Sequence, residues 1–243
     1  MHAKLNLVES YGIAFRDLIN AKVQPTKLTI REVLKLTKDE DWAFLCSAMD
    51  IIGDACLAID NFLKFGLDGP TKYDEAGERY LRLYGILSAT YIQQEAVLKL
   101  YQLVNVPPTL KEGKDMLESL EIRHLRHKLS SHSTNYQDKT TGFIETYVPI
   151  RIDLRGFNCS YMNNEEIKIY SVDLQKSIDE HLETLIEMQD KILEKAITTF
   201  YNGQKTSKGY KEFSEKLEDL RIIRKGGLVT RMPDGSKMIM TMA

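Results

Sequence analysis

The sequence predicts a mainly α-helical protein: a bundle of long antiparallel helices, a small antiparallel β insertion at about residues 143–172, and a C-terminal extension of one helix and a hairpin. Three observations indicate this fold. Apolar residues recur every three or four positions through the first two thirds of the chain, which is the period of one helix face. The period changes to two near residue 143, as in a strand with one buried face. It returns to the helical value near residue 173.

Four helices and one short amphipathic segment are predicted before the insertion. The helix that begins after Thr37 has a capping-box sequence, with Glu40 three residues after the hydroxyl and an apolar run behind it. It ends at residues 66–70, where two glycines and a proline disfavour continuation. The two prolines at 107 and 108 end the next helix. The predicted segments cover residues 5–22, 28–34, 38–65, 74–104 and 111–131.

The insertion is predicted from alternating hydrophobicity. Residues 143–154 carry aliphatic side chains at even positions, so the even set should face the core. That set is Ile144, Val148, Ile150, Ile152 and Leu154. Segments 157–162 and 166–172 add one or two strands around a turn at Asn163 and Asn164.

The last third of the chain is predicted to hold one long helix and an extension of different composition. The helix covers residues 173–201 and carries seven acidic residues against three lysines, a pattern typical of a solvated face. Residues 205–237 hold nine basic and five acidic residues. We expect a helix over 208–223 and a hairpin over 228–242, around the turn tripeptide at 233–235. The predicted division is a bundle at 1–202, which includes the insertion, and a basic extension at 203–243.

Composition indicates a soluble protein and excludes several classes. The 243 residues carry a net charge of −2 and are 43% hydrophobic, which suffices for a core and excludes a protein that is basic throughout. Cys46, Cys56 and Cys159 form no CxxC pair, and an odd count argues against a disulfide scaffold. Residues 1–6 lack the apolar core of a signal peptide, and no run has the roughly 18 uncharged apolar residues of a membrane span. We therefore expect a cytoplasmic protein with no membrane partner.

Tyrosines recur along the predicted helix at 74–104, at Tyr80, Tyr84, Tyr91 and Tyr101. Aromatic faces can hold nucleic-acid bases, so this stripe is one candidate RNA-stacking platform. Tyrosine also packs well in bundle cores with its hydroxyl at the rim, and we favour this interpretation.

A cluster of histidine and arginine residues stands out in this nearly neutral chain. Three of the five histidines lie within nine residues, at His124, His127 and His132. Residues 122–139 hold four Arg or Lys residues against one acid. The cluster therefore forms a local basic region at the end of the predicted helix at 111–131.

The residue types in this cluster suit the chemistry of a phosphodiester. An arginine guanidinium offers a planar fork of donors that matches phosphate oxygens and the charge of the transition state. A histidine near its ordinary pKa can take the proton of a ribose 2′-hydroxyl or give one to the leaving 5′-oxygen. Such a reaction needs no metal ion, because the substrate supplies the nucleophile. Ser130, Ser131 and Tyr136 could add donors to the same phosphate.

Geometry limits how these residues can act together. On a continuous helix Arg126 and His132 would be separated by about 9 Å of rise and roughly 120° of rotation. They converge if the helix ends near Ser130 and Ser131, since serine favours helix ends, or if two copies of the segment meet across a two-fold axis. Two other interpretations stay open. The three histidines could bind a metal ion, although no Cys or carboxylate lies at a familiar spacing. Alternatively, the cluster could be a solvated helix end whose cations pair with the acidic helix at 173–201.

The segment from Arg126 to His132 resembles the hallmark motif of the HEPN superfamily (higher eukaryotes and prokaryotes nucleotide-binding domains). That motif is an Arg followed after four to six residues by a His, and five residues separate the two here. His127 stands where the family most often has Asn. The resemblance implies a four- or five-helix bundle over residues 5–201 and a dimer with two facing motifs. Many members are metal-independent endoribonucleases of toxin–antitoxin or other defence systems that leave a 2′,3′-cyclic phosphate, and others are inactive modules that bind nucleotides or RNA or take part in signalling.

The leading hypothesis is therefore a homodimeric, metal-independent endoribonuclease of HEPN type. It would be a toxin or phage-defence effector that acts on RNA without a cofactor and has an antitoxin or another protein as a partner. His132 would be the general acid and base, and Arg126 would bind the phosphate in the transition state. The predicted catalytic residues are Arg126, His127, Ser131 and His132, and the predicted substrate-binding residues are Arg123, Lys128, Ser130 and Tyr136. The alternative is a non-catalytic helical module that binds RNA, a nucleotide or a protein.

Overall fold

The computed structural model of the protein describes residues 2–24, 28–71, 75–107, 109–131, 133–137, 142–231 and 237–241. Within these residues, eight α-helices and three small antiparallel sheets confirm the mainly α-helical fold with a small β insertion. The helices are α1 (Ala3–Val23), α2 (Ile30–Leu34), α3 (Asp41–Phe65), α4 (Ala76–Val104), α5 (Leu110–Glu118), α6 (Glu121–Arg126), α7 (Leu174–Phe200) and α8 (Lys208–Arg224). The strands are β1 (Tyr136–Gln137), β2 (Ile144–Glu145), β3 (Tyr147–Pro149), β4 (Asn158–Asn163), β5 (Lys168–Asp173), β6 (Gly227–Arg231) and β7 (Lys237–Thr241).

The four long helices α1, α3, α4 and α7 build the core. Helix α4 packs against α3 and α7, and α1 packs against α7 and α3. Each helix buries one apolar face, and Leu182, Leu185 and Ile186 of α7 have no exposed surface. Burial of an aliphatic side chain this completely contributes about 2 kcal/mol to stability. The bundle is therefore a firm support for the side chains at its ends and edges.

The capping box lies in a different place from the one predicted. Thr29 Oγ1 accepts the Glu32 backbone N–H at 3.3 Å, and Glu32 Oε2 accepts the Thr29 N–H at 2.9 Å, so the box begins α2. Helix α3 begins at Asp41, and the preceding residue makes no side-chain cap bond. The predicted box at Thr37 is wrong because the Asp41 carboxylate accepts the Lys38 N–H, at 2.9 Å, and organises this turn.

The helix predicted over 111–131 is divided into α5, α6 and a terminal π-helical turn at His127–Ser131. Ser119 ends α5, and its hydroxyl donates to the Met116 carbonyl at 2.8 Å. Leu120 then takes extended backbone while its side chain is buried. The prediction of one continuous helix is wrong here because local hydrogen bonding by serine competes with helix propagation.

The insertion consists of the sheet β1-β2 and the sheet β3-β4-β5. Asn163 turns the chain after β4, where its Oδ1 accepts the Glu165 N–H at 2.8 Å, in agreement with the predicted turn. The predicted buried face of this region is wrong, because Tyr147, at an odd position, is 3% exposed. Of the predicted set, Leu154 is buried. The exposed even positions are Ile144, Val148 and Ile152. Tyrosine side chains rather than aliphatic ones form the inner face, because they surround a lysine of the turn after α6.

The C-terminal extension packs against the bundle through α8. Phe213, Leu217 and Leu220 join the same apolar core as α1 and α7. Strands β6 and β7 form the predicted antiparallel hairpin, with Gly227 opposite Thr241. The predicted turn residues 233–235 lie outside the described residues.

The acidic face of α7 is not a simple solvated face, because α1 and α8 supply cations to it. Asp190 accepts hydrogen bonds from the Arg221 guanidinium at 2.7 and 2.9 Å. Glu183 contacts Arg224 at 2.8 Å and Lys4 at 3.4 Å. Arg123 of the Arg/His cluster pairs with Glu95 and Glu118 instead, and pairing of the rest of the cluster with the acids of α7 stays a prediction. Asp190 and Glu183 have other partners. Their cations come from the first helix and from the C-terminal extension.

Within the described part of the chain, α3 is the one helix long and apolar enough to cross a membrane. Leu45, Ile52 and Ile59 of α3 are buried in the core, where the helix packs against α1 and α4. A core helix of a soluble protein passes the same test of length and composition. The observation is therefore weak evidence for a membrane span.

Candidate functional site

The predicted site lies where α6 ends beside α4. Arg126 is the last residue of α6 and is half-buried, and the π-helical turn His127–Ser131 follows it directly. Ser130 and Ser131 are exposed, and the helical turn ends at Ser131. His132, the predicted general acid and base, lies outside the described residues. Single π-helical turns are rare and occur frequently at functional sites.

Tyr91 of α4 brings the side chains of this segment together. The Arg126 guanidinium carbon lies 3.7 Å from the centroid of the Tyr91 ring, a close cation–π contact. The His127 ring meets the same tyrosine edge to face, with 6.2 Å between centroids and 81° between planes. Arg123 also lies over this ring, at 4.8 Å. Tyr91 is thus one aromatic support for three side chains of the cluster.

Arg126 keeps its charge available for a ligand. It makes no hydrogen bond or ion pair to any other residue that the structure describes, and its contact is with the Tyr91 ring. Stacking uses the face of the guanidinium, whereas its five N–H donors lie in the plane of the group. Those donors can therefore bind phosphate oxygens while the ring contact is kept. The ring also restricts the side chain, which lowers the entropic cost of binding.

Arg123 lies one helical turn before Arg126, but its charge is paired within the protein. Its side chain is 9% exposed, and it donates to Glu118, Glu95 and Gln94 at 2.9, 2.9 and 3.0 Å. Two carboxylates thus compensate its charge in a largely buried position. This arrangement favours a structural role, in which Arg123 ties α6 to α4, over the predicted contact with substrate.

A buried polar chain continues from Arg123 into the core. Gln94 Nε2 donates to His181 Nδ1 at 3.2 Å, so His181 Nε2 carries the ring proton and donates to Gln93 Oε1 at 2.9 Å. His181 has no exposed surface, and burial lowers the pKa of its imidazole to about 3. A neutral imidazole held between two glutamines is a structural group, so His181 does not supply protons to the site.

Lys128, a predicted phosphate contact, points its ammonium group into the β insertion. Lys128 Nζ lies 4.7 Å from the ring centroid of Tyr147 and 5.6 Å from that of Tyr136. The rings of Tyr161 and Tyr170 lie 5.8 and 5.6 Å away. We call these four rings the tyrosine cage. Because Tyr136 was also predicted to bind substrate, the predicted site is divided between two aromatic supports, one on α4 and one on the insertion.

The metal-binding interpretation gains no support from the described residues. No group of three His, Cys, Asp or Glu side chains among them is placed to hold a metal ion. His124 and His127 both make contacts within the protein. The third histidine of the predicted ligand set, His132, lies outside the described residues, so a site that includes it stays a prediction.

Sequence reasoning missed the role of Tyr91. The tyrosines of α4 were assigned to core packing, and this is correct for Tyr101, which is 1% exposed. Tyr84 is 39% exposed instead, and Tyr91 is the half-buried support of Arg126. No local signal marks Tyr91, because its partners are on a different helix.

Comparison with known proteins does not identify the chain: no family model, no curated protein and no solved structure matches it. The class of site therefore depends on the geometry around Arg126 and on the resemblance of its motif.

Proposed function

We propose that this protein is a metal-independent endoribonuclease of HEPN type, which cleaves RNA by attack of a ribose 2′-hydroxyl on the adjacent phosphate. One observation carries the proposal. The Arg126 guanidinium is stacked on Tyr91 at a helix end, beside His127, and no described carboxylate neutralises it. A cation held in this way is suited to a phosphodiester. It differs from Arg123, whose charge the fold compensates.

Arg126 binds the non-bridging phosphate oxygens in the proposed reaction. The pentavalent transition state carries more negative charge on these oxygens than the ground state does. Charge-assisted hydrogen bonds from Arg126 therefore strengthen as the reaction proceeds. Removal of one such donor typically costs about 100- to 1,000-fold in rate. We therefore assign Arg126 a large share of the rate enhancement.

His132 is the proposed general acid and base. It takes the proton of the 2′-hydroxyl while the 2′-oxygen forms its bond to phosphorus. The bond from phosphorus to the 5′-oxygen breaks, and that oxygen receives a proton. The products are a 2′,3′-cyclic phosphate and a 5′-hydroxyl. His127 and Ser131 assist by orienting the phosphate, and Ser130 offers a further donor on the same exposed turn.

The proposed active form is a cytoplasmic homodimer, with the turns of two copies facing one cleft. The HEPN resemblance supports this arrangement. The exposure of Ser130 and Ser131 also supports it, because a second copy can reach this turn. A ribonuclease of this kind, whether toxin or defence effector, harms its host unless it is controlled. We therefore propose an inhibitory protein partner such as an antitoxin.

The test is cleavage of a labelled RNA in EDTA, with the ends of the products identified. We expect the wild type to leave 2′,3′-cyclic phosphates. The same RNA with a 2′-deoxy nucleotide at the cut should stay intact there, because it lacks the nucleophile. Arg126→Ala and His132→Ala should each lose at least about 100-fold in rate.

Two variants control for general damage to the protein. Arg151→Ala removes an exposed arginine of the insertion, and His124→Gln removes an exposed histidine of α6. Both should keep the wild-type rate within about twofold, because substitutions at exposed positions usually have small effects. Equal rates for all five proteins would overturn the site assignment. A wild type that cleaves no RNA in EDTA would contradict the ribonuclease proposal.

The second candidate is a non-catalytic RNA-binding module, because a stacked Arg126 suits binding as well as cleavage. The basic extension contributes less to such a surface than its composition indicates, since Arg221 and Arg224 are paired with α7. Salt-dependent RNA binding without cleavage, unchanged in His132→Ala, would favour this candidate.

A further inference from the structure

The tyrosine cage joins the β insertion to the turn after α6. Its four rings come from β1, β3, β4 and β5, and all of them lie within 5.8 Å of Lys128 Nζ. The rings also contact one another, with Tyr161 stacked on Tyr170 at 5.2 Å and 14°. Tyr147 meets Tyr136 edge to face at 5.6 Å. The insertion thus presents one continuous aromatic group to Lys128.

The surroundings of the cage favour a strong hold on this cation. An aromatic ring attracts a cation through its quadrupole, and the attraction grows as water is excluded. Tyr147 and Tyr161 are 3% and 6% exposed, so two of the rings are shielded from water. Burial, together with a hydrogen bond from the Tyr147 hydroxyl to Glu145 at 2.5 Å, raises the pKa of Tyr147. The Tyr147 ring is therefore neutral at physiological pH and fixed by its own partner.

A second contact joins Tyr147 to the same segment. The Tyr147 backbone N–H donates to the Ser133 carbonyl at 2.9 Å. Lys128 and Ser133 are therefore both bound to one residue of β3, on either side of residues 129–132 in the sequence. Leu129, between them, is 3% exposed and belongs to the core.

We propose that the β insertion is a clamp for the turn of the proposed nuclease site, and that Lys128 is a positioning residue in this clamp rather than a phosphate ligand. A π-helical turn is less favourable than an α-helical one, so it needs contacts that hold it. The tyrosine cage supplies such a contact to Lys128, Tyr147 binds the Ser133 carbonyl just after the turn, and Tyr91 contacts His127 at its start. The clamp rests on the proposed function only in identifying this turn as the site of cleavage.

The competing interpretation is that Lys128 binds RNA phosphate directly, as the sequence suggested. The two roles differ in what they predict. A phosphate ligand contributes to RNA affinity and salt dependence without affecting the free protein. A positioning residue changes the free protein first, because its loss lets the turn open more often. It then lowers the rate of the chemical step more than it weakens binding.

The experiment combines hydrogen–deuterium exchange of the free protein with cleavage kinetics. Lys128→Met removes the charge and keeps an unbranched side chain that is one atom shorter, Lys128→Arg keeps a cation, and Tyr147→Leu removes one aromatic ring of the cage. The matched control is Lys168→Met, because Lys168 is an exposed lysine over Tyr170 at 5.1 Å that does not belong to the turn. A peptide from α7 reports whether each variant keeps its core folded.

We expect Lys128→Met and Tyr147→Leu to raise amide exchange over residues 127–131 by about tenfold, with exchange in α7 unchanged. Lys128→Arg should restore most of the protection, and Lys168→Met should resemble the wild type. For cleavage, Lys128→Met should lower kcat by about tenfold with KM within twofold.

Two results would overturn the clamp. One is wild-type exchange over 127–131 in Lys128→Met. The other is a variant whose loss is confined to KM and RNA affinity. If the wild type proves not to cleave RNA, the exchange data still decide the clamp, so its failure and that of the proposed nuclease are distinguishable.

Discussion

Two regions of this chain are basic in sequence, and they differ in how the fold uses the charge. In the C-terminal extension, Arg221 pairs with Asp190 at 2.7 Å and Arg224 pairs with Glu183 at 2.8 Å. In the turn after α6, Arg126 lies against an aromatic ring and pairs with no described carboxylate. Composition locates positive charge, but only the three-dimensional partners show whether that charge is available to a ligand.

The difference explains how a chain with a net charge of −2 can be suited to RNA. Arg221 and Arg224 of the extension are balanced by acids of α7, so these two cations add little potential at the surface. An arginine on an uncharged ring keeps its positive potential at one place. The net charge therefore excludes only indiscriminate binding of polyanions and leaves a local encounter with RNA open.

The largest expected effect on stability comes from the ion pairs between the C-terminal extension and α7. Burial by itself would raise the pKa of Asp190, but hydrogen bonds from Arg221 and Tyr11 outweigh it, so the pKa is lowered. Asp190→Ala leaves the buried Tyr11 hydroxyl without its acceptor and leaves Arg221 with Glu194 alone, so it should reduce the free energy of unfolding by about 3 kcal/mol in urea denaturation. The matched control is Glu187→Ala on the same helix, where the exposed pair with Lys191 is worth less than about 0.5 kcal/mol. Equal losses in the two variants would contradict the internal role of this pair.

Arg123 and Arg126 sharpen the comparison within a single helix. Arg123→Met should reduce the free energy of unfolding by about 2 kcal/mol, because Gln94 loses a buried partner while Glu95 and Glu118 remain partly hydrated. Arg126→Met should cost less than about 1 kcal/mol, the size of an exposed cation–π contact. Denaturation of both variants measures the difference. The reverse order would mean that the fold uses Arg126 and not Arg123.

A smaller change in the free energy of unfolding, per pH unit, is expected from the titration of His181. This histidine connects to Arg123 through Gln94. The unfolded chain binds a proton at this histidine below about pH 6.5, whereas the folded protein does not do so until near pH 3. Stability should therefore be complete above pH 6.5 and fall as the pH is lowered from there toward 3, by on the order of 1 kcal/mol per pH unit. His181→Gln should lose less stability than the wild type between about pH 7 and pH 5, because glutamine does not titrate. Parallel curves would rule out a neutral buried His181.

Much of the fold could be predicted from sequence, because helix periodicity and the residues that end helices are local signals. Helix α3 ends at Phe65, directly before Gly66, and α4 ends at Val104, shortly before the two prolines, as expected. The face of the insertion could not be predicted, because burial of Tyr147 depends on Lys128, which belongs to another element. The solvated face assigned to α7 is wrong for Asp190, which is buried and pairs with Arg221, a residue of the C-terminal extension that no local signal connects to it.

The sequence predicted which segment holds the candidate site, but it did not predict how the side chains of that segment are arranged. The sequence located Arg126 and a helix end near Ser131, because serine and the change of period are local. It could not separate the buried Arg123 from the available Arg126, since both sit on one short helix and their carboxylate and tyrosine partners lie mostly elsewhere. Tyr91 and the tyrosine cage became apparent only when the helices were packed together.

The most direct test of the central claim is the rate of RNA cleavage in EDTA by Arg126→Ala relative to Arg151→Ala, with both proteins shown to be folded. If Tyr91 holds Arg126 in place to bind phosphate, the cleavage rate should fall by at least about 100-fold in Arg126→Ala and stay at the wild-type value in Arg151→Ala. Equal rates in the two variants would contradict the account.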